Sequence, residues 1–296
     1  MDNMIYSMGL DIGSTTSKCV IMRSNSNSDF NHGVKHDSTE CKQDNNTYVG
    51  CAIDSNSNAN SGNDRPQIVG SAVVQGGTGT GGPDKAVSAA LEAAGILRSD
   101  VKRATATGYG RNTYTESDKT VSELSCHARG ALFLYPEVRM VIDIGGQDCK
   151  AMKLTKDGRL DGFAMNDKCA AGTGRFLEVM ARILEIEISD MGYLSATAEY
   201  VVDITSTCTV FAESEVISQL SKGADKMGLI AGIHRSVAVK AAGIAKRMGL
   251  LQPLFFSGGV AQNQGVLEAL SRELAAPVVT DVRAQLAGAI GAALLT

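Results

Sequence analysis

The sequence predicts an α/β protein of two lobes built on one plan, and three observations predict it. A short apolar strand ends in Asp11-Ile12-Gly13, and a second ends in Asp143-Ile144-Gly145. Each is followed by a lysine, Lys18 or Lys150, so one strand end with its turn occurs twice. A third strand end, Ser257-Gly258-Gly259, adds paired glycines, which let a backbone approach a flat ligand closely. With 296 residues, 44% of them apolar, the chain has material for one large domain or two lobes. The expected division is residues 1–125 with 280–296 as the first lobe and 126–279 as the second.

The first element is the strand 8–13, followed by the turn Ser14-Thr15-Thr16-Ser17-Lys18 and a second strand, 19–22. Backbone N–H groups and small hydroxyls in such a hairpin turn wrap a phosphate, and Lys18 supplies a point charge. The Walker A pattern is absent, so this is another kind of phosphate loop. Residues 24–67 then change character: Ser/Asn/Asp tracts with few apolar residues cannot bury enough surface to offset chain entropy. They read as a solvated insertion. Its Cys41, Cys51, His32 and His36 have the irregular spacing of bystanders rather than metal ligands.

Strand 68–74 follows, then a flexible glycine loop from Gly76 to Gly82 and a helix from Pro83 to Ala94 with proline in its first turn. Strand 103–107, loop 108–112 and a helix over 122–134 come next. His127 in that helix reads as a satisfied core or interface histidine. The second Asp-Ile-Gly turn runs through Gly145, Gly146 and Gln147 to Lys150. If the two strand ends face each other, Asp11 and Asp143 converge on one polyphosphate and hold a hydrated Mg²⁺, which keeps most of its waters.

Two cysteines stand ahead of helical patterns. Cys169 precedes the face Phe176, Val179, Met180, Ile183, Leu184, and Cys208 precedes Val210 to Leu220. A helix N-terminus favours a thiolate, which is ready for a soft metal. Neither cysteine has a CxxC companion, and zinc or iron–sulfur centres usually take four ligands. Two identical chains about a twofold axis would supply four. The plainer reading is that both are small buried apolar residues, as free cysteine most often is. A long helix over 231–248 and the strand 254–256 complete the pattern.

Net charge is −4 without a lysine/arginine cluster, which sets aside nucleic acid or an anionic membrane as the main partner. No basic-then-apolar run leads the chain, no apolar run reaches membrane length, and seven scattered cysteines fit a reducing compartment. A cytoplasmic location is expected.

With Asp11-Ile12-Gly13-Ser14-Thr15, Asp143-Ile144-Gly145-Gly146-Gln147 and Ser257-Gly258-Gly259-Val260, the chain resembles the sugar kinase/Hsp70/actin superfamily. The segments 166–176 and 206–215 around the two cysteines narrow the resemblance to activators (component A) of 2-hydroxyacyl-CoA dehydratases, in the BadF/BadG/BcrA/BcrD-type ATPase family. The resemblance implies two ribonuclease-H-like lobes with ATP in the cleft between them. It implies a homodimer holding one [4Fe–4S] cluster through Cys169 and Cys208 of each chain, which replaces the plainer reading of those two; Cys19, Cys126 and Cys149 keep it. It also implies ferredoxin or flavodoxin as electron donor and a dehydratase (component D) as acceptor, with ATP hydrolysis driving the transfer.

The same resemblance grades the site. Ser14, Thr15, Thr16, Ser17, Lys18, Gly145, Gly146 and Gln147 would cradle phosphates, Gly258 and Gly259 the adenosine side, and Gln285 would reach the adenosine. Gln147 is the candidate for orienting the attacking water; its other reading is a phosphate or metal-water contact. Glu215 and Lys222 read as surface charges. The insertion replaces a short hairpin turn of the family and bears on partner docking. Three alternatives stand: an ATPase subunit of a benzoyl-CoA-reductase-type enzyme, a small-molecule kinase of the same superfamily, which leaves Cys169 and Cys208 unexplained, and a nucleotide-dependent clamp or chaperone-like module without redox work.

Overall fold

The computed structural model describes residues 4–25, 43–44, 47–50, 65–205 and 208–296. Most of the polar insertion, including His32, His36, Cys41 and Cys51, lies outside the described residues. The chain divides into two units, residues 1–136 with 286–296 and residues 137–285.

In the first unit, β1 (Met4–Ile12) and β2 (Thr16–Asn25) form the expected hairpin. Two short strands within the insertion, β3 (Gln43–Asp44) and β4 (Thr47–Gly50), extend the sheet at its edge beside β5 (Gln67–Gln75). The insertion is therefore not wholly outside the fold: the alternating Thr47-Tyr48-Val49 run pairs as a strand within an otherwise polar tract. Helix α1 (Gly82–Ala94) has Pro83 in its first turn and Asp84 beside it, and ends where Gly95 turns left-handed at φ 65°. Strand β6 (Val101–Thr107) runs parallel to β1, and β7 (Lys119–Thr120) parallel to β6. Helix α2 (Glu123–Leu134) is capped by Ser122, whose hydroxyl accepts from the Ser125 N–H. The terminal helix (Ala287–Leu294) belongs to this unit.

The second unit repeats the plan. Strands β8 (Met140–Ile144), β9 (Cys149–Leu154) and β10 (Leu160–Asn166) form an antiparallel meander. Helices α3 (Gly174–Ile183), α4 (Met191–Ala196), α5 (Thr209–Ser221) and α6 (Lys226–Arg247) follow. Strand β11 (Leu254–Ser257) then enters parallel to β8, and after α7 (Gln264–Leu274) strand β12 (Val278–Val279) lies parallel to β11. The order β10-β9-β8-β11-β12 matches β5-β2-β1-β6-β7 of the first sheet strand for strand. The repeat read in two short motifs is thus a repeat of whole sheets.

Central strands are buried on both faces, so their sequences are continuous apolar runs rather than alternating ones. Met8, Leu10 and Ile12 of β1 and Met140, Val141, Ile142 and Ile144 of β8 are 0–1% exposed. Phe255 and Phe256 of β11 are equally buried, and each such side chain contributes roughly 1.5–3 kcal/mol.

The unit boundary falls at 136/137 and 285/286 rather than at 125/126 and 279/280. Helix α2 stays with the first unit because it packs on the terminal helix, so closely that a side chain at Gly130 would meet the Ala287 carbonyl. Helix α6 starts five residues ahead of its expected start, where the Asp225 carboxylate accepts from the Gly228 N–H at 2.7 Å. Among the described residues no helix is long and apolar enough to cross a membrane.

Candidate nucleotide and thiol sites

In the first unit Asp11 ends β1 directly opposite Lys18 of β2. The carboxylate is 3% exposed, and its Oδ2 lies 3.3 Å from Lys18 Nζ and 4.0 Å from His127 Nε2. His127, read from sequence as a satisfied core or interface residue, is buried and stands beside this aspartate. Two loops hold the turn between the strands. Thr78 donates its N–H to the Gly13 carbonyl at 3.0 Å, Gly76 to Thr15 at 2.8 Å, and Gly110 to Ile12 at 2.9 Å. The glycine loop expected to be flexible is therefore pinned against the hairpin turn. Ser17 differs from the rest of its turn: it is fully buried and its hydroxyl donates to the Gly76 carbonyl at 2.8 Å. It anchors the turn from within, while Ser14 is exposed and Thr15 and Thr16 are half-buried.

The second unit repeats this arrangement with more burial. Asp143 and Lys150 face each other across β8 and β9, with Oδ2 and Nζ 3.7 Å apart and both side chains 3% exposed. Lys150 also reaches Asp148 at 2.8 Å. The neighbouring strand adds Ser257, whose hydroxyl donates to Asp143 Oδ1 at 2.7 Å. Between these strands Gly145 and Gly146 are half-buried and Gln147 is exposed at the tip of the turn. Gly258 has φ 89°, and a Cβ there would sit 2.3 Å from the Ile144 carbonyl oxygen, so the position requires glycine. Gly259 is exposed, and Gln285 Nε2 is its nearest neighbour on the side-chain face. The fold thus brings together two of the three residues assigned by resemblance to adenosine.

The two cysteines are placed differently. Cys208 is the N-cap of α5 and is exposed. Cys169 is half-buried in a turn ahead of α3, whose N-cap is Thr173, so it does not stand at the helix start as its spacing predicts. The turn closes through Thr173, whose hydroxyl donates to the Ala170 carbonyl at 2.6 Å. Both thiols act on one amine: burial pulls Lys240 of α6 below the usual lysine range, and Cys169 and Cys208 pull it back up. Neither is in a disulfide. Among the described residues no group of three or more His, Cys, Asp or Glu gathers to hold a metal ion. Cys19, Cys126 and Cys149 are buried thiols, as expected; burial pushes Cys126 and Cys149 up to about 12 and Cys19 further. Glu215 is a clamp within the chain rather than a free surface charge, accepting from the Thr205 N–H and hydroxyl. Lys222 is exposed at the end of α5.

Residues 8–296 match the BadF/BadG/BcrA/BcrD ATPase family. The chain belongs to that family. It is 47% identical over 291 residues to the (R)-2-hydroxyglutaryl-CoA dehydratase activating ATPase of Acidaminococcus fermentans, covering 98% of this chain and 96% of that one. A solved activator of the 2-hydroxyisocaproyl-CoA dehydratase from Clostridium difficile, with bound ADPNP, superposes with a TM-score of 0.82 at 44% identity, covering 98% of this chain and 94% of that one. A ROK family glucokinase from Streptomyces griseus shares the fold, with a TM-score of 0.53 at 14% identity over 98% and 99% of the two chains. Membership of the BadF/BadG/BcrA/BcrD ATPases makes the chain an ATPase of the sugar kinase/actin fold.

Proposed function

We propose that this ATPase activates a 2-hydroxyacyl-CoA dehydratase by delivering single electrons to it at the expense of ATP. The names of its relatives support the partner. The observation that carries the redox half is the pair Cys169 and Cys208: two free thiols around one lysine, in the unit that bears the second Asp-Ile-Gly turn.

Two thiols per chain are half of the set that a cubane requires. The donor chemistry therefore fits a [4Fe–4S] cluster shared by two copies of the chain, held by Cys169 and Cys208 of each. Bound there, the cluster supplies a one-electron carrier whose potential depends on nearby charge and solvent. Val210 and Phe211, in the first turn of the helix that Cys208 caps, are 66% and 68% exposed. They offer an apolar skirt around the thiols for the second copy.

In the nucleotide site, Ser14, Thr15, Thr16 and Lys18 bind phosphate in one unit and Gly145, Gly146 and Gln147 in the other. Asp11 and Asp143 hold the water shell of Mg²⁺, each with its own lysine across the strand pair. Gln147 orients the attacking water, and Gly258, Gly259 and Gln285 receive the adenosine. Ferredoxin or flavodoxin serves as the electron donor.

The test is anaerobic purification, with iron and sulfide counted per chain. Four irons per two chains are expected, and none in Cys169→Ala or Cys208→Ala. Colourless, iron-free protein that still splits ATP would leave only a phosphohydrolase.

A further inference from the structure

Helix α3 begins in an unusual way. The first N–H groups of a helix have no partner within it and are commonly met by the side chain of the N-cap. Here the N-cap Thr173 makes no such bond, because its hydroxyl is turned to Ala170. The phosphate turn takes its place: the Gly174 N–H donates to the Gly145 carbonyl and the Arg175 N–H to the Gly146 carbonyl, both at 2.9 Å.

The contact is close. A Cβ at Gly174 would lie 3.3 Å from the Gly145 oxygen, 3.4 Å from Gly146 Cα and 3.5 Å from Val260. On the other side, Thr173 is fully buried and closes a turn onto Ala170 through both its N–H and its hydroxyl. Ala170 is bonded directly to Cys169. A closed path of backbone therefore runs from the phosphate turn to one thiol.

Among the described residues Cys208 has no equivalent. Its carbonyl accepts from the Ala212 N–H, within the turn it caps, and the segment ending at Thr205 is held by Glu215 of the same helix. The two cysteines are thus tied to different things, one to the phosphate turn and one to its own helix.

We propose that Gly174 and Arg175, through their backbone bonds to Gly145 and Gly146, are the positioning residues that make Cys169, and not Cys208, follow the nucleotide. This rests on reading the 145–147 turn as a phosphate loop and Cys169 as a cluster ligand. A phosphate bound at that turn draws its N–H groups toward the anion, which reorients the same peptides whose carbonyls cap α3. The two ligation states then differ in a contact made by the nucleotide itself, which any ligand-driven change requires.

The test uses thiol alkylation of the metal-free full-length chain, followed residue by residue by mass spectrometry, with and without ADP and a non-hydrolysable ATP analogue. In the parent, the analogue should change the Cys169 rate by about fivefold or more and leave Cys208 unmoved. Gly174→Pro removes one bridging N–H at a position where proline suits a helix start and follows an extended Thr173. It should abolish the Cys169 response while ADP still binds in calorimetry. Arg175→Ala, which keeps its N–H, should respond as the parent does. Should Gly174→Pro fail to fold, Gly174→Ala, crowded against Gly145, should show a weakened response.

An undiminished response in either glycine variant overturns the proposal, as does an equal response of Cys208. A parent that binds ADP while Cys169 stays indifferent overturns the proposal alone. A parent that binds no ADP takes the phosphate-loop reading down with it, and an anaerobic holoprotein without iron does the same for the cluster reading.

Discussion

Lys150 faces Asp143 across the β8–β9 pair as Lys18 faces Asp11 across β1–β2, but the pair in the second unit is the more deeply buried. Removing one partner of a buried pair leaves the other charge uncompensated. Lys150 answers two carboxylates, Asp143 and Asp148. Lys150→Met should therefore destabilise the chain by about 3 kcal/mol. Lys18→Met, at a side chain 14% exposed, should cost less. Urea unfolding of both variants checks the order, and equal losses would contradict it.

Adjacent glycines should behave oppositely. Gly258→Ala forces a β-carbon into the Ile144 carbonyl at a left-handed φ and should cost about 2 kcal/mol or more, with loss of ADP binding. Gly259→Ala meets only Gln285, at 3.7 Å, and should change stability by under about 0.5 kcal/mol. Thermal unfolding with and without ADP reads both.

Gln147 is exposed at the tip of its turn, so Gln147→Ala should fold like the parent. If it orients the attacking water, the ATPase rate should fall about a hundredfold with little change in KM. An unchanged rate would reduce Gln147 to a phosphate or metal-water contact.

Phe211 is 68% exposed on the helix capped by Cys208. Phe211→Lys should leave protomer stability unchanged, shift anaerobic sedimentation toward the monomer and lower bound iron per chain. A dimer with its full iron would place the interface elsewhere.

His234 of α6 is 1% exposed, and burial pulls it down to about 4. The unfolded chain binds this proton more readily than the folded one, so stability is full above about pH 6.5 and falls as the pH drops toward 4. The loss approaches about 3 kcal/mol. His234→Gln, which keeps an amide beside Asn263, should flatten that stretch of the stability–pH curve.

The hairpins and their aspartates were legible because they combine two strong local signals, a continuous apolar run and a glycine turn. The facing lysines followed from the repeat alone. Elements whose reason lies elsewhere in the chain were not legible. Nothing near Ser17 announces that its hydroxyl turns inward to Gly76, and nothing near Gly174 announces that its N–H serves a carbonyl from a distant turn. His127 read as a satisfied core or interface histidine, and only the approach of α2 to β1 brings it to Asp11. Cys169 was placed too near its helix, whose N-cap is Thr173, because Gly172, at φ 91°, turns the chain between them. The start of α6 did have a signal, Asp225 three residues ahead of Gly228, which the apolar pattern beginning at Ala231 masked.

The first unit is finished by residues from the far end of the chain: Ser7 of β1 donates to the Ala293 carbonyl, and Gly9 lies against Ala289. A ribosome making this protein therefore releases every residue of the thiol-bearing half before it delivers the last helix of the other. During synthesis the thiol-bearing half can mature while its sister is still missing a wall.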